Sequence, residues 1–271
     1  MHTNMRDKIA GAVFGFAIGD AMGATTEFMS DRQIWRYFGQ ITDIVGGGWL
    51  KLNPGDVTDD TQMTMCIMDA LMKYPDSQRK FKKACADNFV LWYKSNPADV
   101  GGQCSRGIQH FMLTNKYVTV DTSSLGNGSL MRAMPCALLD KDKMNIIQGA
   151  ITHNNSKCAQ IILEYSRLIQ DYLNNKTYTG NIKSLQKPSG HIVNTFNNAV
   201  YWSCSDTFED AIIGAVNHGG DADTIAAIAG SLAGAKFGFS NIPPEWIEKL
   251  NPEVKIFLEN FINFVFTYLQ I

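Results

Sequence analysis

Two sets of glycines recur at every fourth position, and they constrain the fold of this chain more than any other feature of its sequence. The two sets are Gly11, Gly15, Gly19 and Gly23 near the start of the chain, and Gly230, Gly234 and Gly238 near its end. Residues four apart share one face of an α-helix, so each set predicts a smooth helical face on which another backbone can pack closely. Each glycine inside a helix costs about 1 kcal/mol relative to alanine, which implies a packing reason for both stripes.

Most of the remaining periodic segments also indicate helices. The predicted helical runs are 61–73, 78–95, 143–152, 157–173, 192–203 and 207–217. Strand-like alternation is confined to short pieces such as 116–121, and strands do not alternate with helices. No linker or internal repeat divides the chain, and 174–190 is predicted to be a surface excursion. We therefore predict an all-α protein in which residues 1–271 form a single domain.

Composition narrows the range of partners and locations. A net charge of −2 with 18% charged residues lacks the basic footprint of a nucleic-acid-binding protein, and the basic cluster at 79–83 is predicted to be a solvated helix face. The six cysteines contain no C-x-x-C pair and are typical of reduced thiols, which favours the cytoplasm. The apolar run 256–271 is shorter than the roughly 20 residues of a membrane span, so we predict a packed final helix. We expect a cytoplasmic monomer with no targeting segment, no nucleic-acid partner and no membrane partner.

Two acidic segments coincide with predicted helix starts. Their polar residues are Asp56, Thr58, Asp59, Asp60 and Thr61 in the first segment, and His218, Asp221, Asp223 and Thr224 in the second. Helix capping, with Asp59 as the N-cap of the first helix, is the preferred interpretation of either segment alone. Capping does not explain three aspartates within five residues of the first segment, because their charges repel each other unless a cation lies among them.

Taken together, the two segments supply four to five carboxylates and two threonine hydroxyls at two helix starts. Hard oxygen ligands of this kind suit Mg²⁺ or Mn²⁺ rather than zinc. If the two helix N-termini meet, the result is a two-metal carboxylate site. For His218 we prefer a hydrogen bond to the backbone over metal binding.

Three further segments have ordinary structural interpretations beside functional ones. The glycine loop 125–132 (LGNGSLMR) could present backbone amides to an anion, but taken alone it is interpreted as a turn. The helix start that follows this loop, together with Arg132, favours contact with a phosphate. His153 closes a predicted helix as a C-cap or a ligand, and Asp99 lies in a turn where a solvated acid is the alternative.

Six motifs follow one another along the chain: G-x-x-x-G-D-A-x-G-x-x-x-E at 15–27, T-D-D-T at 58–61, P-x-D-V-G at 97–101, G-N-G-S-L-M-R at 126–132, T-H-N at 152–154 and G-G-D-A-D-T at 219–224. In this order they resemble the ADP-ribosylglycohydrolase family, and within it the dinitrogenase reductase-activating, arginine-directed type. The resemblance extends from about residue 7 to about residue 238. It implies a single compact, orthogonal helical domain with two Mg²⁺ or Mn²⁺ ions in a cleft.

The resemblance also implies roles for individual residues. The implied metal ligands are Thr58, Asp59, Asp60, Asp221, Asp223 and Thr224. The residues assigned catalytic roles are Glu27, Asp59 and Asp99. The residues assigned to the ADP-ribose side are Gly126, Asn127, Gly128, Ser129, Met131, His153 and Gly220.

The implied activity is a metal-dependent hydrolysis that removes ADP-ribose from a modified protein or a small conjugate. Asp99 occupies the position of an acid near the guanidinium in arginine-directed members, which favours the N-glycosidic bond of ADP-ribosyl-arginine. Two alternatives stay open: a hydrolase of serine-linked or other adducts, and a non-catalytic scaffold like the related lens crystallins. The chain departs from the family pattern at Thr25-Thr26 and at Asn154-Asn155, which affects specificity more than metal binding.

Overall fold

The computed structural model describes residues 2–117, 123–178, 180 and 184–271, which form helices joined by loops. The helices are α1 (His2–Gly23), α2 (Asp31–Phe38), α3 (Asp59–Lys73), α4 (Gln78–Lys94), α5 (Gly102–Thr114), α6 (Met134–Leu138), α7 (Asp142–Ala150), α8 (Ser156–Leu173), α9 (Ile192–Ser203), α10 (Phe208–His218), α11 (Ala222–Phe237), α12 (Pro244–Lys249) and α13 (Pro252–Leu269). The described residues contain no β-strand, only isolated bridges. The predicted all-α fold class is confirmed.

The first glycine stripe packs directly against the second. Helices α1 and α11 run antiparallel, with Gly11 opposite Gly234 and Gly15 opposite Gly230. A Cβ atom at Gly11 would lie 2.5 Å from the carbonyl oxygen of Gly234, and one at Gly23 would lie 2.5 Å from that of Ala222. Because no side chain fits at such distances, the two backbones are in contact along the whole stripe.

This contact places two chain segments at one end of the helix pair. The C-terminal end of α1 lies beside the N-terminal end of α11, which carries the second acidic segment. The prediction of a helical stripe is wrong at Gly238, which lies just beyond α11 as its C-cap with φ of 92°. A positive φ requires glycine there, and Gly238 also packs closely against α1, because a Cβ at Gly11 would lie 2.7 Å from its carbonyl carbon.

The core surrounds this central pair. Every residue of α11 from Ala222 to Ala235 is buried, and one hydrophobic cluster extends from Ile9 in α1 to Val265 in α13. A helix that is apolar on all sides is stable only inside the protein, which accounts for the central position of α11. None of the described helices is both long and apolar enough to cross a membrane.

The predicted helical runs correspond to α3, α4, α7, α8, α9 and α10, each with boundaries within two residues. The alternating piece 116–121 lies mostly outside the described residues. In 174–190, the described part is only partly a surface excursion, because Pro188 packs against Gly220 and the carbonyl oxygen of Gly190 accepts a hydrogen bond from Asn127 N–H at 3.0 Å. The end of this segment therefore supports the region where the acidic segments meet.

Candidate active site

The first acidic segment forms the N-terminal turn of α3. Thr58, not Asp59, is the N-cap, because its side chain accepts a hydrogen bond from the backbone N–H of Asp60 at 3.3 Å. Asp20 of α1 holds this turn, since its carboxylate accepts from the N–H groups of Thr58 at 3.1 Å and Thr61 at 3.0 Å. Burial raises the pKa of Asp20, and these hydrogen bonds oppose the rise. The sequence reasoning missed this role of Asp20, whose signal was an acid embedded in an apolar helix.

The loop that follows α1 carries Glu27 to the start of α11. The N–H of Phe28 donates to the carbonyl oxygen of Gly220 at 2.6 Å, and the N–H of Gly220 donates to Met29 O at 2.8 Å. The two threonines that depart from the family pattern brace this loop. Thr25 Oγ1 donates to the carbonyl oxygen of Gly46, and Thr26 Oγ1 donates to that of Val216.

These elements surround a cleft of about 380 Å³. The predicted site residues that line it are Glu27, Asp59, Asp60, Asp99, Gly126, Asn127, Gly128, Met131, His153, Asp221, Asp223 and Thr224. Three predicted site residues do not line it: Thr58 caps α3, Ser129 is fully buried, and Gly220 pairs with Phe28. The structure thus brings together segments that are up to 197 residues apart in the sequence, from Glu27 to Thr224.

The carboxylates of the cleft are crowded. Glu27, Asp221 and Asp223 each place an oxygen within 4.8 Å of the others. Burial raises the pKa of Glu27 to about 8. The hydrogen bond from Trp49 opposes this rise, and the charge of Asp221 adds to it. Burial raises the pKa of Asp221 to about 6, although hydrogen bonds from its neighbours oppose the rise.

Two further carboxylates behave in the same way. Burial raises the pKa of Asp59 to about 7, and the charge of Asp99 adds to this effect. The pKa of Asp60 is also raised by burial, and next by the charge of Asp223. A cation bound among these acids would favour their ionised forms and lower their pKa values.

The residues present fit a divalent cation. Asp60 Oδ2 and Asp223 Oδ1 are buried and have no hydrogen-bond partner in the part of the chain that the structure describes. Over the same described ranges, no lysine or arginine lines the cleft. Free carboxylate oxygens without a basic neighbour are the donor set that Mg²⁺ and Mn²⁺ prefer. The family resemblance assigned Glu27 to catalysis alone. In the structure, a carboxylate oxygen of Glu27 also lies close enough to oxygens of Asp221 and Asp223 for the three to hold one metal ion.

The glycine loop forms the opposite side of the cleft. A Cβ at Gly128 would lie 2.9 Å from the ring of His153, so glycine lets that ring lie against the backbone. His153 is buried, and its Nδ1 shares a hydrogen bond with Thr152 Oγ1 at 2.8 Å. Asn127 Nδ2 donates to Asp221 Oδ2 at 2.5 Å, which links this loop to the acidic side.

The expected contact of Arg132 with a phosphate is wrong, because Arg132 is fully buried and does not line the cleft. Its guanidinium donates to the carbonyl oxygen of Gly128 at 2.5 Å, to Gln148 Oε1 at 2.8 Å and to Thr152 Oγ1 at 2.8 Å. Arg132 therefore fixes the glycine loop at Gly128, and the segment before His153 at Thr152, from the buried side of the cleft wall.

Within the described part of the chain, the Nδ1 atom of His218 neither hydrogen-bonds to the backbone, as predicted, nor lies in the cleft as a possible metal ligand. That nitrogen is buried without a hydrogen-bond partner among the described residues, and the imidazole lies 6.1 Å from the ring of Trp202. Because His218 is absent from the lining of the cleft, metal binding by it has no support.

Sequence reasoning also missed Trp49. Its indole Nε1 donates to Glu27 Oε2 at 2.5 Å. The preceding glycines Gly46, Gly47 and Gly48 all have positive φ, which forms the turn that returns Trp49 to the cleft. The run Gly-Gly-Gly-Trp at 46–49 was the feature of the sequence that could have indicated a tight turn presenting a tryptophan.

Comparison with known proteins agrees with this geometry. The model of the ADP-ribosylglycohydrolase family matches residues 1–266. The chain belongs to the ADP-ribosylglycohydrolase family. It is 34% identical to ADP-ribosyl-[dinitrogen reductase] glycohydrolase of Rhodospirillum rubrum, with 93% of each chain covered. It is 33% identical to ADP-ribosylarginine hydrolase Tri1 of Pseudomonas putida, covering 90% of this chain and 74% of Tri1.

The fold is shared with a solved structure of an ADP-ribosylglycohydrolase-related protein complex. The TM-score is 0.83 at 24% identity, with 97% of this chain and 99% of that chain covered. The family resemblance inferred from the motifs is therefore confirmed. As a member of the ADP-ribosylglycohydrolase family the chain is a hydrolase of the glycosidase class, and its acidic cluster is a candidate metal centre.

Proposed function

We propose that this ADP-ribosylglycohydrolase removes ADP-ribose from modified arginine side chains by cleaving the N-glycosidic bond. The observation that carries the proposal is the position of Asp99, which lines the same cleft as Glu27 and the crowded aspartates. An acid there suits a cationic guanidinium leaving group. The Tri1 relative, an ADP-ribosylarginine hydrolase by name, supports the same substrate class.

Two divalent ions, Mg²⁺ or Mn²⁺, are proposed to bind at the acidic side of the cleft. The proposed ligands are Asp59, Asp60, Asp221, Asp223 and Thr224, with Glu27 close to them. Thr58 was expected as a further ligand, but its side chain caps α3 and it does not line the cleft. When bound, such ions act as Lewis acids and lower the pKa of a water molecule. The free oxygens of Asp60 and Asp223 support this assignment.

The side chains around the scissile bond then have distinct tasks. Glu27, held by the indole of Trp49, orients the attacking water and takes its proton. The water oxygen bonds to the anomeric carbon of the distal ribose through an oxocarbenium-like transition state, while the bond from that carbon to the guanidinium nitrogen breaks. The electron pair of the broken bond goes to the guanidine nitrogen, which takes the proton that Glu27 removed from the water. Asp99 holds the resulting guanidinium by a charge-assisted hydrogen bond.

The ADP-ribose side of the substrate is proposed to lie against the glycine loop. The residues assigned to it are Gly126, Asn127, Gly128, Ser129, Met131, His153 and Gly220. Glycine backbone permits close approach of a diphosphate, and Arg132 keeps the loop fixed without touching the ligand. Ser129 and Gly220 contribute through the backbone geometry of their loops, because neither lines the cleft.

Side-by-side assays on arginine-linked and serine-linked ADP-ribose test the proposed substrate. We expect turnover of the arginine conjugate, with a loss of about 10- to 100-fold in kcat/KM for Asp99→Ala. Asp99→Asn serves as the matched variant, because it keeps the shape and removes the charge. Equal turnover of the arginine conjugate by Asp99→Ala and by the unaltered protein would contradict arginine specificity. Calorimetry with ADP-ribose and Mg²⁺ separates an enzyme from a non-catalytic scaffold, for which no binding is expected.

A further inference from the structure

Two aromatic side chains stand together at the mouth of the cleft. The rings of Phe28 and Trp49 have centroids 5.4 Å apart and are tilted by 47°. Phe28 lines the cleft yet is 66% exposed, and Trp49 is 47% exposed. Large aromatic faces left open beside a cleft indicate contact with a ligand rather than packing within the protein.

Phe28 is held in an unfavourable backbone conformation. Its φ is 63°, in the left-handed region that bulky residues rarely adopt. The hydrogen bond from its N–H to the carbonyl oxygen of Gly220 maintains this conformation, although the side chain buries little surface in return. A backbone outlier of this kind next to a catalytic glutamate is a reason to look for function.

Trp49 is fixed relative to the reacting groups. Gly47 and Leu52 exchange two backbone hydrogen bonds, at 2.8 and 3.0 Å, which close the turn that presents Trp49. Its indole N–H is used by Glu27, so the indole ring cannot rotate away from the cleft without losing that hydrogen bond. The aromatic pair is thus a preformed surface that adjoins both Glu27 and the opening of the cleft.

We propose that Phe28 and Trp49 form a platform that binds the guanidinium of the ADP-ribosylated arginine, a role that rests on the proposed function. A planar cation is attracted to aromatic faces, and arginine makes such contacts more often than lysine. Asp99 and Glu27 line the same cleft as Phe28. Glu27 also accepts a hydrogen bond from the indole of Trp49, so carboxyl groups that can pair with a guanidinium adjoin the platform. A serine-linked adduct carries no cation at this point, so the platform selects for arginine.

Substitution of the two aromatic residues tests the platform. Phe28→Leu keeps an apolar side chain and the strained backbone but removes the ring, Trp49→Leu removes both the ring and the N–H, and Trp49→Phe removes only the N–H. The matched control is Trp35→Leu, since Trp35 is a 74% exposed tryptophan on α2 that does not line the cleft. The measurements are kcat and KM on ADP-ribosyl-arginine, and the affinity for ADP-ribose with Mg²⁺ by calorimetry.

We expect Phe28→Leu to raise KM for the arginine conjugate by about 3- to 30-fold while the affinity for ADP-ribose stays within about twofold. Trp49→Phe should lower kcat with little change in KM, because the ring remains while Glu27 loses its partner. Trp49→Leu should show both effects, and Trp35→Leu neither.

Each contrary result has a distinct meaning. No turnover of the arginine conjugate by the unaltered protein would overturn the proposed function and the platform with it. Normal turnover by the unaltered protein, with an unchanged KM in Phe28→Leu and Trp49→Leu, would overturn the platform alone. An equal loss of affinity for ADP-ribose in these variants would also overturn it, because the pair would then serve the ribose side or the fold.

Discussion

The two sides of the cleft satisfy their polar groups in different ways. The acidic wall, made of Glu27, Asp59, Asp60, Asp221 and Asp223, crowds buried carboxylates whose pKa values are raised, and two of their oxygens lack a partner among the described residues. The glycine wall, made of 125–132 and His153, rests on the buried cation Arg132, which donates to oxygen acceptors on three residues. The glycine wall is held by a buried cation of the chain itself, whereas over the described residues no lysine or arginine lines the acidic wall, which makes it the candidate metal centre.

The largest expected effect comes from breaking the acidic wall. Asp60→Asn or Asp223→Asn should lower metal-dependent turnover by about 100-fold or more, because a hard ligand is lost. The same variants should raise the unfolding temperature of the metal-free protein at neutral pH, since asparagine replaces a buried acid whose pKa is raised by folding and whose ionisation favours the unfolded chain. Steady-state assays and thermal unfolding measure the two effects.

Asp56→Asn is the matched control for these variants. Asp56 belongs to the same acidic segment but accepts hydrogen bonds from Asn53 and Asn251 and does not line the cleft. Its loss should leave turnover unchanged. Equal loss of activity in Asp56→Asn and Asp60→Asn would contradict the assignment of turnover to Asp60 in the acidic wall and not to Asp56 outside the cleft.

Breaking the glycine wall should show the opposite pattern. Arg132→Met leaves buried acceptors without a donor and should lower the free energy of unfolding by about 3–5 kcal/mol. Affinity for ADP-ribose should fall because the loop loses its support, while stabilisation by metal should persist. Arg167→Met, at an exposed arginine of α8, should change the free energy of unfolding by less than about 0.5 kcal/mol. Loss of metal stabilisation in Arg132→Met would show that the two walls are not independent.

The pH dependence of stability should report the raised pKa values of the acidic wall, against an opposite contribution from His218, whose pKa is lowered by burial. Because the pKa values of Glu27, Asp59 and Asp221 are raised to about 8, 7 and 6, the metal-free folded protein holds protons that the unfolded chain releases. Its unfolding temperature should therefore fall as pH rises from about 5 to 8. Saturating Mg²⁺ or Mn²⁺ at about 100 times its Kd should raise the unfolding temperature by about 5–10 °C, and more at pH 8 than at pH 5.5. A metal effect that is independent of pH would contradict this origin.

The smallest expected effect concerns the hydroxyl of Ser129 on the glycine wall, a buried polar atom without a hydrogen-bond partner among the described residues. Ser129 does not line the cleft. Ser129→Ala should change the free energy of unfolding by less than about 0.5 kcal/mol and leave turnover intact. A large loss of turnover would show that this hydroxyl reaches the substrate.

The sequence was most informative where local chemistry decides the structure. The every-fourth-residue glycines predicted close helix packing, and the acidic segments predicted two helix starts with a cation between them. The apolar period located both ends of α9 to the residue. Helices α2 and α5 were missed. The segment of α2 is only eight residues long and buries only Ile34.

Tertiary contacts account for what the sequence could not predict. The burial of Arg132 depends on Gln148 and Thr152, which belong to a different part of the chain. Likewise the role of Asp20 requires α3 to begin beside it, and the role of Trp49 requires its turn to meet Glu27. A pattern within one segment cannot show which side chain of another segment it will meet.

Release of arginine from ADP-ribosyl-arginine, followed over time, tests the central claim most directly. The protein loaded with Mg²⁺ or Mn²⁺ should release arginine and ADP-ribose in equal amounts, stop after chelation and resume when the metal is restored. Asp60→Asn should remain inactive throughout, whereas Asp56→Asn should follow the unaltered protein. Sustained release after complete chelation, or none with metal present, would contradict a metal-dependent arginine hydrolase in this cleft.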